Sequence, residues 1–180
     1  MTDLLRQEIA ATAEIIVIKV GTRVLTQPDG TLHTDRMEQL AEQISALAAE
    51  GKKVVLVSSG AVGAGMSQLG INQRPNNLST LQAVAAVGQT HLIHTYDQTF
   101  GRHGQKAAQV LLTAQELNDR TSYLNVRNTL LSLLNLNVIP IINENDTVSV
   151  DELLTTFGDN DRLAALVTNL LGASLLIVLS

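Results

Sequence analysis

With 180 residues, 45% of them hydrophobic, the chain is most simply one domain, large enough to bury roughly 70% of its unfolded surface. A net charge of −5, two Phe, two Tyr and no Trp leave neither the electropositive face nor the stacking platform of a nucleic-acid binder, although helix N-termini and single lysines can still hold small anions. The lack of cysteine removes disulfides, thiolate metal sites and a cysteine nucleophile, and no apolar run approaches the ~20 residues of a membrane-spanning helix.

Residues 1–14 carry Asp3, Arg6, Glu8 and Glu14 among apolar residues. They lack the basic start and unbroken apolar core of a signal peptide and read as a short helical or frayed lead-in. Residues 15–20 read as a buried strand running into Lys19-Val20-Gly21-Thr22. Residues 35–50 form an amphipathic helix with Met37, Leu40, Ile44 and Leu47 on one face, closed by Gly51. A second strand, 54–57, runs into Ser58-Ser59-Gly60, and the small residues from Gly60 to Gly65 open a helix suited to close packing on the sheet. A long alanine-rich helix follows at 79–100 and a third strand at 107–112. Thr113-Ala114-Gln115-Glu116 has capping-box spacing and predicts a helix from there toward Leu134. The fourth strand is 138–142, a helix over 159–171 is stopped by Gly172, and the last strand is 175–179. Segments 27–30, 70–77 and 146–157 read as loops.

Alternating strands and helices predict an α/β fold, a mainly parallel open sheet with helices on both faces. Strands this uniformly apolar are expected in the sheet interior. Ligands of such sheets sit beyond the carboxyl ends of the strands, and three strands end in polar or glycine-rich segments there. The final strand stops at Ser180, at the mouth of the expected site, as in a fragment of a longer domain.

The junction after the fourth strand carries the most information. Val138-Ile139-Pro140-Ile141-Ile142 passes without a turn signal into Asn143-Glu144-Asn145-Asp146. Desolvating two carboxylates side by side is unfavourable unless cations or donors meet them. A second cluster, Gly158-Asp159-Asn160-Asp161, flanks the far side of the same loop; Asp159 alone is explained as a helix N-cap and Asp161 by the helix dipole. Lys19, beside Gly21, is a point charge that can neutralise phosphate oxygens, or else a lysine snorkelling from a strand end. Gly60 permits a tight turn, and the backbone N–H groups that follow can hold an anion. The glycines match neither the Walker loop nor the dinucleotide Gly-x-Gly-x-x-Gly spacing, and packing accounts for Gly63 and Gly65 in part. His91 and His94 share a helix face without a third ligand and read as surface residues.

In this order the segments Ile18-Lys19-Val20-Gly21-Thr22, Val57-Ser58-Ser59-Gly60-Ala61, Ala85-Ala86-Val87-Gly88-Gln89, Gln109-Val110-Leu111-Leu112-Thr113, residues 140–146 and residues 158–161 closely resemble the amino acid kinase family. The paired acidic clusters resemble the members that phosphorylate free glutamate rather than acetylglutamate or aspartate. That resemblance implies ATP-dependent phosphorylation of the L-glutamate γ-carboxyl, the first step toward proline, with Mg2+, feedback inhibition by proline and a cytoplasmic homo-oligomer. By motif, Lys19 and Asp161 are the catalytic pair, with Lys19 on the transferred phosphate and Asp161 orienting it. Ser59, Gly60, Ala61, Asp146 and Asn160 hold glutamate, and Lys19, Gly21 and Ser180 lie on the ATP side. Residues 1–180 then correspond to the glutamate-binding N-terminal portion of the kinase domain, without the nucleotide-binding remainder. The alternatives are a non-catalytic module binding an acidic amino acid or proline, a relative such as acetylglutamate kinase, and, disfavoured by glycine spacing, a dinucleotide-dependent oxidoreductase.

Overall fold

A computed structural model describes residues 2–27, 29–149 and 159–180. Gly158, the loop from 150 to 157 and the Asp159 side chain expected to cap a helix lie outside the described residues. Helix α1 (Thr2–Thr12) precedes β1 (Ile15–Val20), α2 (Thr22–Leu25), α3 (Thr34–Ala49) and β2 (Lys53–Ser58). Then come α4 (Ala61–Leu69), α5 (Leu78–Arg102), β3 (Lys106–Leu112), a 3-10 turn (Glu116–Asn118), α6 (Arg120–Asn135), β4 (Val138–Glu144), α7 (Asp159–Leu171) and β5 (Leu175–Leu179).

The five strands are all parallel, in the order β3-β4-β2-β1-β5. Alternation along each strand splits the core into two layers. Ile16, Ile18 and Val20 of β1, Val54 and Leu56 of β2, and Ile139 and Ile141 of β4 pack with Met37, Ala41 and Ile44 of α3 and Leu92, Tyr96 and Phe100 of α5. Val17, Val55, Val57 and Ile142 face the other way, onto Leu130 and Leu134 of α6 and Leu163, Val167 and Leu170 of α7. The sheet is therefore covered on both faces, as its apolar strands require.

Helices α4 and α5 approach so closely that a Cβ on Gly65 would collide with the Val84 carbonyl oxygen, and one on Gly88 with the Ala61 carbonyl oxygen. Gly65 is thus a packing glycine; a Cβ on Gly63 would instead stand at an ordinary 3.4 Å from the Thr26 methyl.

Two expectations need correction, and one element was not expected. The strands at 107–112 and 175–179 lie at the two edges of the described sheet, not inside it. Lys106 and Gln109 of β3 are exposed, and Val178 of β5 is 50% exposed. An apolar run reports that helices or neighbours cover it, and says nothing about which strand edge is paired. The capping box at Thr113 forms locally, with the Thr113 N–H donating to Glu116 Oε2 at 2.7 Å, but only a 3-10 turn follows. The helix starts at a second cap, Asp119, whose carboxylate accepts from the Ser122 N–H at 2.8 Å. Finally, α2 carries no cap side chain and no periodicity long enough to predict it.

Candidate active site

Strand parity places the first functional side chain. Lys19 shares its face with Val17, the face covered by α7, so its side chain runs toward the first turn of that helix. There its Nζ meets Asp161 Oδ1 at 2.8 Å. The ammonium is buried while the carboxylate is half-exposed, 9% against 52% side-chain exposure, so the pair presents charge at an accessible edge. Gly21 follows in an extended conformation (φ −77°) that any residue could adopt. Its role is space: a Cβ there would stand 3.3 Å from Lys19 Nζ, 3.3 Å from the Leu179 carbonyl oxygen and 3.5 Å from Ser180 Cα. Its N–H donates to Leu179 at 2.8 Å, so Ser180, at the end of β5, borders the same spot.

Beyond β2, Ser59 donates its backbone N–H to the Val20 carbonyl at 3.0 Å, joining the ends of the two central strands. Gly60 then turns at φ 106°, a left-handed conformation that disfavours side chains, and begins α4 with Ala61 buried behind it. The preceding residue, Ser58, points the other way, onto α5. Its hydroxyl lies 2.9 Å from the hydroxyl of Tyr96, whose ionisation burial pushes far above the usual phenol range.

A chain of buried polar side chains crosses the site. Asn160, in the first turn of α7, donates Nδ2 to Ser59 Oγ at 2.9 Å and to Asn143 Oδ1 at 3.2 Å. Asn143 donates its own Nδ2 to Gln89 Oε1 on α5 at 3.1 Å. The Glu144 backbone N–H also donates to Asn143 Oδ1, at 2.9 Å. Gln89, Asn143 and Asn160 are each less than one-tenth exposed. These bonds pair both ends of the Asn143 amide and one end each of Gln89 and Asn160, as buried amides require of their polar atoms.

Asp146 sits at the other end. Its loop is held by the Asn145 N–H on the Leu112 carbonyl at 2.8 Å and by Gln82 Nε2 on the Thr147 carbonyl at 3.3 Å. It lines a cavity of about 210 Å³ with Gln89, Glu144, Asn145, Gln109 and the Ala85–Ala86 flank of α5. The Asp146 carboxyl is buried, and its Oδ1 has no hydrogen-bond partner among the described residues. Burial first, and the negative charge of Glu144 second, push its pKa up to about 6; Arg74 opposes them weakly. A buried carboxylate so placed calls for a cation or a donor beyond the described residues.

The structure thus brings Lys19, Gly21, Ser59, Gly60, Ala61, Asn160, Asp161 and Ser180 to the carboxyl ends of β1, β2 and β5 and the start of α7. Asp146 stands across the amide chain, in a cavity that Lys19, Ser59 and Asn160 do not line. Two residues that join the halves were not singled out by sequence. Asn143 was legible only as part of its cluster, and Gln89 only as the last residue of the family-like segment Ala85-Ala86-Val87-Gly88-Gln89, with no role attached to it.

Among the described residues no group of three or more carboxylates or histidines could hold a metal ion.

The strand ends of one parallel sheet, with helices on both faces, thus assemble a lysine, a carboxylate and buried amides. The Amino acid kinase family model matches residues 14–180, and the chain belongs to that family. Within it, the chain is similar to Glutamate 5-kinase from Rhodopirellula baltica, at 50% identity over 98% of this chain and 45% of the relative. It is likewise similar to Glutamate 5-kinase from Azoarcus sp. (51% identity, 93% of this chain, 45% of the relative) and from Thioalkalivibrio sulfidiphilus (54%, 91% and 43%). The chain therefore spans less than half the length of these curated relatives.

Proposed function

We propose that the protein carrying this chain phosphorylates the γ-carboxyl of free L-glutamate with ATP, giving L-glutamyl 5-phosphate for proline synthesis, and that residues 1–180 supply the glutamate side of its site. The observation that supports this most directly is the buried Asp146 oxygen that no described residue partners. An α-ammonium would compensate it, and N-acetylglutamate has none, so the free amino acid is favoured.

The chemistry follows from charge. A glutamate carboxylate, with reference pKa near 4.3, is ionised at neutral pH and needs no general base. One of its oxygens attacks the γ-phosphorus as the bond to ADP breaks, so two anions must meet. Lys19 neutralises charge on the transferred group, and Asp161 at 2.8 Å fixes where its ammonium stands. Ser59, with Gly60, Ala61 and Asn160 around it, orients the acceptor carboxylate. Gly21 keeps space open beside Lys19, and Ser180 borders that space on the nucleotide side. Mg2+, bound with the nucleotide, would screen the phosphate oxygens. In this reading the protein works in the cytoplasm as a homo-oligomer, with proline as feedback inhibitor.

The test is the complete polypeptide with ATP, Mg2+ and glutamate, following ADP release and trapping the acyl phosphate as a hydroxamate with hydroxylamine. ADP and hydroxamate should form together, with glutamate preferred over N-acetylglutamate. Glutamate binding without ADP formation would mean a binding module, and preference for the acetylated substrate would mean a different kinase.

A further inference from the structure

We propose that Gln89 is a positioning residue for the acceptor-binding site: it fixes the amide orientation of Asn143 and, through it, of Asn160 and Ser59. The inference rests on the kinase reading for what the site binds, and on geometry alone for the relay. Gln89 is 9% exposed on a helix whose neighbouring buried positions are Ala85, Gly88 and Leu92. A buried amide there is unfavourable unless bonded, and its Oε1 accepts from Asn143 Nδ2 at 3.1 Å.

An asparagine amide has one accepting end and one donating end. With Nδ2 turned to Gln89, Asn143 presents Oδ1 to the opposite side, where the Glu144 N–H donates at 2.9 Å and Asn160 Nδ2 at 3.2 Å. Asn160 Nδ2 in turn donates to Ser59 Oγ at 2.9 Å, which leaves the Ser59 hydroxyl proton as a donor for a carboxylate. The Gln89 acceptor and the Glu144 backbone N–H thus hold the Asn143 amide from its two ends, and that orientation sets the direction of the bonds that follow to Asn160 and Ser59. If residue 89 offered no acceptor, a turned Asn143 would bring its NH2 against two other donors. The helix carrying Gln89 is itself held in place at the adjacent Gly88, where a Cβ would collide with the Ala61 carbonyl at the start of α4.

The test uses the complete polypeptide and Gln89→Met, which keeps chain length and apolar packing but removes the acceptor. The expected result is a rise in KM for glutamate of about tenfold, the size of one buried hydrogen bond, with kcat and KM for ATP within about threefold. A merely structural role would lower the active fraction, hence apparent kcat, and leave both KM values alone. In an Asn143→Ala background Gln89→Met should add nothing further; additive losses would overturn the relay. A second readout is independent of activity: the Asn160 side-chain amide resonances, followed by NMR, should shift and lose protection from exchange in Gln89→Met. Unmoved Asn160 resonances overturn the proposal even if glutamate is turned over. A wild-type protein that turns over no glutamate refutes the kinase reading and leaves the relay to be decided by that NMR result.

Discussion

The Asp146 carboxyl offers the sharpest quantitative test. Its pKa in the folded chain is about 6 against 3.8 for an ordinary aspartate, because burial and Glu144 disfavour the charged form. A gap of about two pKa units corresponds to about 3 kcal/mol of destabilisation once both states are ionised. The sign is fixed by which state holds the proton. Below pH 3.8 the group is protonated in both states and imposes no penalty. Between about pH 4 and 6 the unfolded chain releases its proton while the folded chain keeps it, so stability falls as pH rises. Above about pH 6 the penalty is constant. Asp146→Asn cannot ionise. It should match wild type near pH 4 and be more stable at pH 8 by up to about 3 kcal/mol in urea unfolding. Glutamate should do the reverse: its ammonium compensates the ionised group, so affinity should weaken as pH falls through about 6 and be largely lost in Asp146→Asn. A variant whose stability offset is the same at pH 4 and pH 8 would refute the claim that this carboxylate is held desolvated for a missing cation.

Three further outcomes follow from single contacts. Lys19→Met should cut turnover of the complete protein by about 10³-fold while leaving glutamate affinity, read by calorimetry, within a few-fold, because the charge it balances builds only during transfer; normal turnover removes it from the catalytic role. Tyr96→Phe removes the 2.9 Å partner of the buried Ser58 hydroxyl, which keeps its 3.1 Å bond to the Ser59 carbonyl, and should cost about 0.5–1.5 kcal/mol in denaturant unfolding. Gly88→Ala drives a methyl onto the Ala61 carbonyl, so it should cost about 3 kcal/mol or more and shift the start of α4; an unchanged melting temperature would mean that the α4–α5 crossing can open freely.

Much of the fold was legible because its signals are local. The alternation of apolar strands with amphipathic helices marks a parallel sheet whatever its order, and every predicted strand is present. Strand order was not legible, since β3 and β5 are as apolar as the strands between them and yet lie at the edges. The Thr113–Glu116 box shows a second limit. Its bonds form, but a cap satisfies only a few backbone donors and does not supply the packing that propagates a helix. That packing begins with Leu130 and Leu134, in the helix that Asp119 starts.

The site was legible in kind but not in wiring, and strand alternation explains the difference. Reading 143–146 as one polar cluster treats its members as pointing to a single place. Asn143 continues the face of Ile139 and Ile141, which looks onto α5, and so it meets Gln89. Lys19 continues the face of Val17, which looks onto α7, and so it meets Asp161. Which helix covers which face is decided by the whole chain and cannot be read from either segment. Gln89 fits its own helix face least: an amide beside buried Ala85, Gly88 and Leu92 conflicts with local preference, and Asn143 answers it at the edge of the Asp146 cavity. Such conflicts between local preference and global environment concentrate where a fold gives up stability for function. A buried polar residue on an otherwise apolar helix face, aimed at the carboxyl end of a parallel strand, is therefore a better guide to the wiring of this site than the acidic cluster that first revealed it.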